Sequence, residues 1–199
     1  MTLWFATGNA CKRAELADIL AGHALKIPSD AGIRDFEPEE AGGSFFENAL
    51  IKGRALYRLV KEPVIADDSG LCVDALQGRP GIYSSRYGGD MTAQERNALL
   101  LGRMAGAQER RARFVCAMVL LLSEERFYMA QETLEGEIMQ EERGEGGFGY
   151  DPIFYIPALG RTAAELPAEL KNRVSHRGKA GKILQSLIPA AGCPHRGIL

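Results

Sequence analysis

Several things are scarce or missing in this chain of 199 residues, and each absence removes a class of protein. No apolar run is long. The longest, Phe114 to Leu122, falls far short of the ~20 residues that cross a bilayer. Met1-Thr2-Leu3-Trp4 lacks the charged start of a signal peptide, so a cytoplasmic protein with no membrane partner is expected. An excess of one charge is missing too. Lys and Arg number 24 against 26 Asp and Glu, a net charge of -2, which argues against a general binder of nucleic-acid polymers. Cysteine is sparse: Cys11, Cys72, Cys116 and Cys193 stand singly, with no CxxC pair and no His at metal-ligand spacing. Cys116 lies inside an apolar run and Cys72 between Leu71 and Val73. Both read as small buried hydrophobes, not as parts of a disulfide framework or a zinc site.

What is present is an ordinary globular balance, 46% hydrophobic and 25% charged, at a length expected of a single domain over 1–199. Leu3 to Ala6 reads as a short buried strand, and Thr7-Gly8-Asn9 turns into a helix over about Ala10 to Leu20. Ala24 to Ile27 can form a second strand. Pro28 to Gly43 is an acidic loop, of a length that in compact domains is often functional. Ser44-Phe45-Phe46-Glu47 has the form of a capping box and opens a helix to about Val60. On a helical wheel Phe45, Phe46, Ala49, Leu50, Leu56, Tyr57 and Val60 fill an arc of about 140°, with Lys52 just outside, so this lysine can reach the edge of a cleft.

Val64-Ile65-Ala66 predicts a strand ending in a turn at Asp67-Asp68-Ser69-Gly70, with another short strand over Leu71 to Leu76. Gln77 to Asp90 is Gly-rich and irregular. Thr92-Ala93-Gln94-Glu95 is a second capping box, starting a helix to about Met104. Phe114 to Leu122, apolar throughout, suits the centre of a covered sheet, and Phe127 to Met139 reads as its partner. Gly144 to Asp151 is a second Gly-rich loop, and Ile153 to Ile156 a short strand. The final helix starts near His176, with Ala180, Ile183, Leu184, Leu187 and Ile188 on one face. Helices and strands alternate early and two long strands follow. That order predicts an α/β fold with a mixed sheet and helices on its faces.

Five segments carry residues suited to chemistry. Thr7 to Lys12 joins a strand to a helix, where free backbone N–H groups and the helix dipole favour an anion, and Lys12 shares the inward face of Leu16 and Leu20. An Asn cap followed by a solvated lysine uses the same residues. Asp67-Asp68-Ser69-Gly70 offers two carboxylates suited to Mg²⁺, the turn being expected to free them from strand alternation; an ordinary β-turn is the plainer reading. Glu39-Glu40 closes the acidic loop. Gly144 to Pro152 sets Phe148 and Tyr150 among glycines, a stacking surface for a nucleobase or else a buried tight turn. Lys171, Ser175, His176 and Arg177 cluster at the start of the last helix. In α/β sheets, binding sites gather at such strand ends and helix starts, and these groups together describe a Mg-nucleotide site.

Taken in order, Phe5 to Lys12, Ser44 to Ala49, Ala66 to Leu71, Gly78 to Tyr87, Gly146 to Pro152 and Ser175 to Gly178 resemble the motifs of the inosine triphosphate pyrophosphatase family, also called dITP/XTP pyrophosphatases. Ser44 stands where many members have Thr, which keeps the cap. The resemblance implies Mg²⁺-dependent hydrolysis of ITP, dITP and XTP to the monophosphate and pyrophosphate. It also implies a homodimer whose subunits have an elongated central mixed β-sheet, flanked by helices, and two lobes with an active-site cleft between them. Carried over by motif, Thr7, Gly8, Asn9, Ala10, Cys11 and Lys12 bind the triphosphate with help from Lys52. Glu40 and Asp68 hold the metal, and Asp68 accepts a proton from the attacking water. Ser69 contacts substrate, and Phe148, Gly149, Tyr150, Asp151, Lys171, His176 and Arg177 recognise the base. Two rivals stand beside this expectation. One is a Maf-type pyrophosphatase acting on pyrimidine or modified nucleotides; the other is a non-catalytic nucleotide-binding sensor.

Overall fold

The structure, a computed structural model, describes residues 1–188; Cys193 lies outside them. Its elements are β1 (Thr2–Phe5), α1 (Ala10–Ile19), β2 (Ala24–Lys26), α2 (Phe45–Val60), β3 (Val64–Val73), α3 (Ala93–Arg103), β4 (Arg111–Leu121), β5 (Phe127–Ile138), β6 (Phe154–Ile156), β7 (Arg161–Thr162), α4 (Ala168–Val174) and α5 (His176–Leu187), with short 3-10 turns between. The strands form one open seven-stranded sheet in the order β2-β1-β3-β4-β5-β6-β7. β1 runs parallel to β2 and β3, and every later pairing is antiparallel. The mixed α/β sheet expected from the sequence is therefore what forms.

The apolar residues divide between the two sheet faces by simple alternation. On one face Leu3, Phe5, Ile65, Cys116, Met118 and Leu120 pack under α1 and α5. On the other, Trp4, Ala6, Val64, Ala66, Val119 and Leu121 meet Ala49 and Leu56 of α2. A third cluster at the far end of β3 and β4 gathers Leu71, Val73 and Phe114 with Leu100 and Met104, at and just past the end of α3. Fully burying a leucine such as Leu56 stabilises by roughly 1.5–3 kcal/mol, so each helix is held mainly by this contact with the sheet. No helix among the described residues is long and apolar enough to cross a membrane.

Four expectations change. The Asp67–Gly70 turn does not exist, because β3 runs straight through it for ten residues to Val73. Pairing with β4 over that whole length, down to Val73 against Ala112, outweighs the turn propensity of Asp, Ser and Gly. Ser44 caps α2 by accepting from the Glu47 N–H, but Glu47 Oε2 accepts from the N–H of Gly43 and not of Ser44, so the box is one-sided. At Thr92 and Glu95 the box is complete. On α5, Ile183 and Leu187 are 40% and 37% exposed. The buried face instead turns toward Gly178, Ala180, Gly181 and Leu184, because the two glycines let the helix approach α4 and α1 closely. Cys116 is buried as expected, but Cys72 is only half-buried and Cys11 is exposed.

Candidate active site

A cavity of about 1380 Å³ opens beside the middle of β3, walled by the β1–α1 turn, the acidic loop, the 148–151 loop and the start of α5. Alternation along β3 builds its centre. Asp67 points to the α1/α5 face and Asp68 to the α2 face, so adjacent carboxylates meet different partners.

Asp67, 1% exposed, binds Lys12 Nζ at 3.0 Å and Arg177 Nη2 at 3.1 Å. Burial works to raise its pKa, but the charges of Lys12 and Arg177 overcome that and hold it well below the usual carboxylate range. Asp68 differs. Burial raises its pKa, the Glu40 charge adds to this, and Lys52 and the Asn48 hydrogen bond only partly oppose it. Its Oδ2 accepts from Asn48 Nδ2 at 3.1 Å and its Oδ1 from Lys52 Nζ at 3.4 Å. Lys52 also reaches Glu40 Oε1 at 2.5 Å, so one cation touches carboxylates from the acidic loop and from β3. Glu40 takes a second cation, Arg86 Nη1, at 3.3 Å. Burial opposes ionisation of Glu40, and Lys52 with Arg86 more than offset it, leaving its pKa lowered.

Most of the expected residues line this cavity: Thr7, Gly8, Asn9, Lys12, Glu40, Lys52, Asp68, Ser69, Phe148, Gly149, Tyr150, Asp151, Lys171, His176 and Arg177. Ala10 and Cys11 are exposed and lie off its wall. The N–H groups of Cys11 and Lys12 are not free, since both donate to Asn9 Oδ1. The two aromatics of the glycine loop part company. Tyr150 is buried and donates its hydroxyl to the Ser84 carbonyl, whereas Phe148 faces the cavity with the Lys171 ammonium 4.6 Å from its ring centre. Asp151 staples the loop by accepting from the Phe148 N–H at 2.8 Å and from Lys171 at 2.6 Å.

His176 stacks on Phe114 with ring centres 5.0 Å apart. Burial, reinforced by Arg177 and Lys171, pushes its pKa well below the ordinary histidine value, so the imidazole is neutral at neutral pH. Arg177 is 2% exposed and commits four of its five N–H groups to Asp67, Glu15 and Ser69.

Three contributors escape sequence reading. Glu15 on α1 accepts from Lys171 at 2.9 Å and from Arg177 at 2.6 Å. Its only signal is a polar residue three places after Lys12, on the helix edge beside Leu16. Asn48 and Arg86 stand inside the quoted motifs, but nothing in their spacing says which carboxylates they meet. Ser84 is a fourth, structural participant: its Oγ accepts from the Leu71 N–H and donates to the Gly81 carbonyl. The 3-10 turn Gly81–Arg86 lies so close to β3 that a Cβ on Gly70 would run into the Gly81 carbonyl.

Among the described residues no group of three or more His, Cys, Asp or Glu is arranged to hold a metal ion. Glu40 and Asp68 fit a different kind of site. Mg²⁺ in nucleotide enzymes is usually bound by one or two protein carboxylates, with phosphate oxygens and water completing the shell. The Lys52 ammonium already shows that one cation reaches both carboxylates.

An open mixed sheet whose strand β3 carries adjacent carboxylates into one cleft, where lysines from α1 and α2 meet them and an aromatic lines the same wall, defines an α/β protein built to bind a polyanion attached to a flat ring. The chain belongs to the Ham1 family, whose model matches residues 3–187. It is 51% identical over 184 residues to a dITP/XTP pyrophosphatase of Treponema denticola, covering 90% of this chain and 94% of that one. It is 47% identical over 188 residues to a dITP/XTP pyrophosphatase of Thermus thermophilus, covering 92% and 90%. Among solved structures, a HAM1 protein from Coxiella burnetii superposes with a TM-score of 0.86 at 39% identity, covering 94% of this chain and 98% of that one.

Proposed function

We propose that this protein hydrolyses ITP, dITP and XTP to the nucleoside monophosphate and pyrophosphate, clearing such nucleotides from the cytoplasmic pool. The observation that carries the reading is that one cavity is lined both by Asp68, Glu40 and Lys52, which contact one another, and by Phe148, Lys171 and His176. In this reading Thr7, Gly8, Asn9, Lys12 and Lys52 receive the triphosphate, Ser69 touches it, and the base lies against Phe148, while Ala10 and Cys11 lie off the wall. Gly149, Tyr150, Asp151, Lys171, His176 and Arg177 form the walls around that base. Glu40 and Asp68 would hold Mg²⁺, which when bound offsets the triphosphate's negative charge.

Asp68 accepts a proton from water as the water oxygen bonds to the α-phosphorus. The bond from that phosphorus to the bridging oxygen breaks, and pyrophosphate leaves with the electron pair. A pKa raised by burial suits the role, because a carboxylate of higher pKa is a stronger base. The test is pyrophosphate release from a panel of nucleoside triphosphates, with Mg²⁺ and with chelator. Release from ITP, dITP and XTP that chelator abolishes is expected; no release from any of them removes the reading, and preference for pyrimidine nucleotides hands it to the Maf-type rival.

The lysines supply a further prediction. Lys12 and Lys52 side chains are only 16% and 12% exposed and sit at carboxylates that a triphosphate would rival for them. Lys12→Ala and Lys52→Ala are each expected to raise KM for ITP and to flatten the fall of kcat/KM with added salt. Kinetics unchanged in both variants across the salt series would remove them from the phosphate site.

The reading includes a homodimer. Tyr83 and Met129 are 55% and 48% exposed. Tyr83 lines a second concavity with Gln131, two residues along β5 from Met129. This is the surface we assign to the second copy, with a dimeric mass expected by light scattering at micromolar concentration; a monomeric mass removes the assignment.

A further inference from the structure

One fully buried polar side chain beside the carboxylates has no part in the reaction just described. Asn48, in the first turn of α2, is 0% exposed, next to Ala49, which packs against the sheet. A buried amide costs stability unless its hydrogen bonds are made, and both ends of this one are used. Its Oδ1 accepts from the Gly42 N–H at 2.9 Å, and its Nδ2 donates to Asp68 Oδ2 at 3.1 Å. One side chain therefore joins the acidic loop to β3.

The backbone of the loop has little else to hold it there. Among the described residues, positions 38–43 make no backbone–backbone hydrogen bond. Its backbone is anchored by two α2 side chains, Asn48 to Gly42 and Glu47 Oε2 to Gly43 at 2.7 Å, while Lys52 and Arg86 hold the Glu40 carboxylate itself. Gly42 is two residues from Glu40. A Cβ there would stand 2.7 Å from Asn48 Oδ1, so the chain must be bare to come this close. On the other side, Asn48 occupies one oxygen of Asp68 and so turns the other, Oδ1, toward Lys52 and the cavity.

We propose that Asn48 is a positioning residue that sets the Glu40 carboxylate against that of Asp68, and so fixes the geometry of the divalent-cation site. The proposal rests on reading Glu40 and Asp68 as the metal pair. Outer partners of ligating carboxylates typically tune metal affinity by ~10–100-fold, and Asn48 holds one ligand directly and the other through two residues of backbone.

The experiment measures Mn²⁺ binding to nucleotide-free protein by electron paramagnetic resonance, and the Mg²⁺ concentration for half-maximal ITP hydrolysis. Asn48→Ala is expected to raise both constants by ~10-fold or more, while KM for ITP at saturating Mg²⁺ stays within about twofold of wild type. Gly42→Ala, which pushes on Asn48 from the loop side, should move both constants in the same direction. A merely structural role would lower the active fraction and leave these constants alone. Unchanged metal constants in Asn48→Ala, or a KM that rises in step with them, overturn the proposal; if that variant does not fold, Gly42→Ala decides alone by the same criteria. Glu40→Gln separates the two levels of inference. If it too leaves Mn²⁺ binding unchanged, the metal pair itself is wrong; if it weakens binding and Asn48→Ala does not, only the positioning role falls.

Discussion

The Asp68→Asn enzyme is expected to hydrolyse ITP ~10²–10⁴-fold more slowly than wild type, with its melting temperature nearly unchanged. The amide cannot accept the proton, and its loss of charge weakens one of the two carboxylates read as the metal pair. Stability should survive because burial already disfavours the Asp68 charge in the folded protein. A neutral group of the same size gives up little there. The adjacent substitution should behave in the opposite way. The folded-state pKa of Asp67 is depressed, so its charge stabilises the fold at neutral pH, and Arg177 beside it is 2% exposed. Removing one partner of such a buried pair typically costs about 3–5 kcal/mol, roughly 10 °C of melting temperature at this chain length. Asp67→Asn should therefore be a stability variant first and a kinetic one second. Measuring kcat and melting temperature for both decides it: wild-type turnover in Asp68→Asn overturns the proton-acceptor role, and an unshifted melting temperature in Asp67→Asn overturns the role of Asp67 as anchor.

For the base, ITP, dITP and XTP are expected to exceed ATP and GTP in kcat/KM by as much as ~10⁴-fold. Lys171 and Arg177 can only donate hydrogen bonds. Two of the three Lys171 N–H groups are taken by Glu15 and Asp151, which leaves one directed elsewhere while the ammonium is held firmly beside Phe148. Adenine presents its own donor, the six-amino group, where hypoxanthine presents an acceptor oxygen, and guanine adds a donor amino group at position two. Xanthine replaces that amino group with a second acceptor. Donor facing donor leaves both groups unpaired where the bound base displaces water, which is why the penalty is large. His176 adds no fixed charge to this pattern, because it is neutral; it can donate from one nitrogen and accept at the other. None of these contacts involves the sugar, so dITP should match ITP. Lys171→Ala should narrow the gap. Arg177→Ala should narrow it too, but with a loss of stability, since Asp67 would keep only Lys12 as a close cation partner. Equal kcat/KM for ATP and ITP in the wild-type protein would defeat the donor-pocket argument.

Much of the site was legible in the residues because its parts occupy local positions with local signals. Asn9 caps α1, Ser175 caps α5, and Lys52 sits one step off an apolar arc, each readable from neighbours within a turn of helix. The misreadings have a common source. Asp67-Asp68-Ser69-Gly70 looks like a turn because propensity is a local quantity, whereas β3 is kept extended by pairing with β4, residues distant in sequence. Ile183 and Leu187 sit on the apolar stripe, yet α5 is rotated so that Gly178 and Gly181 face inward. Only the neighbouring α4 and α1 could show that small residues were wanted there.

The sequence by itself determined the order of the longer elements, though not β7 or α4, and the two Gly-rich loops, the acidic loop and the chemical types gathered at the strand ends, because alternation, helical period and capping act over a few residues. Tertiary structure decided which charges meet. Asp67 and Asp68 are chemically identical neighbours, and only the two faces of β3, one covered by α1 and α5 and the other by α2, give one of them buried cations and the other a raised pKa. Glu15, Asn48 and Arg86 acquired their roles in the same way. The reason is physical: the energy of a charge depends on what lies within a few ångströms of it and how much water is excluded, and that is set by packing between segments far apart in the chain.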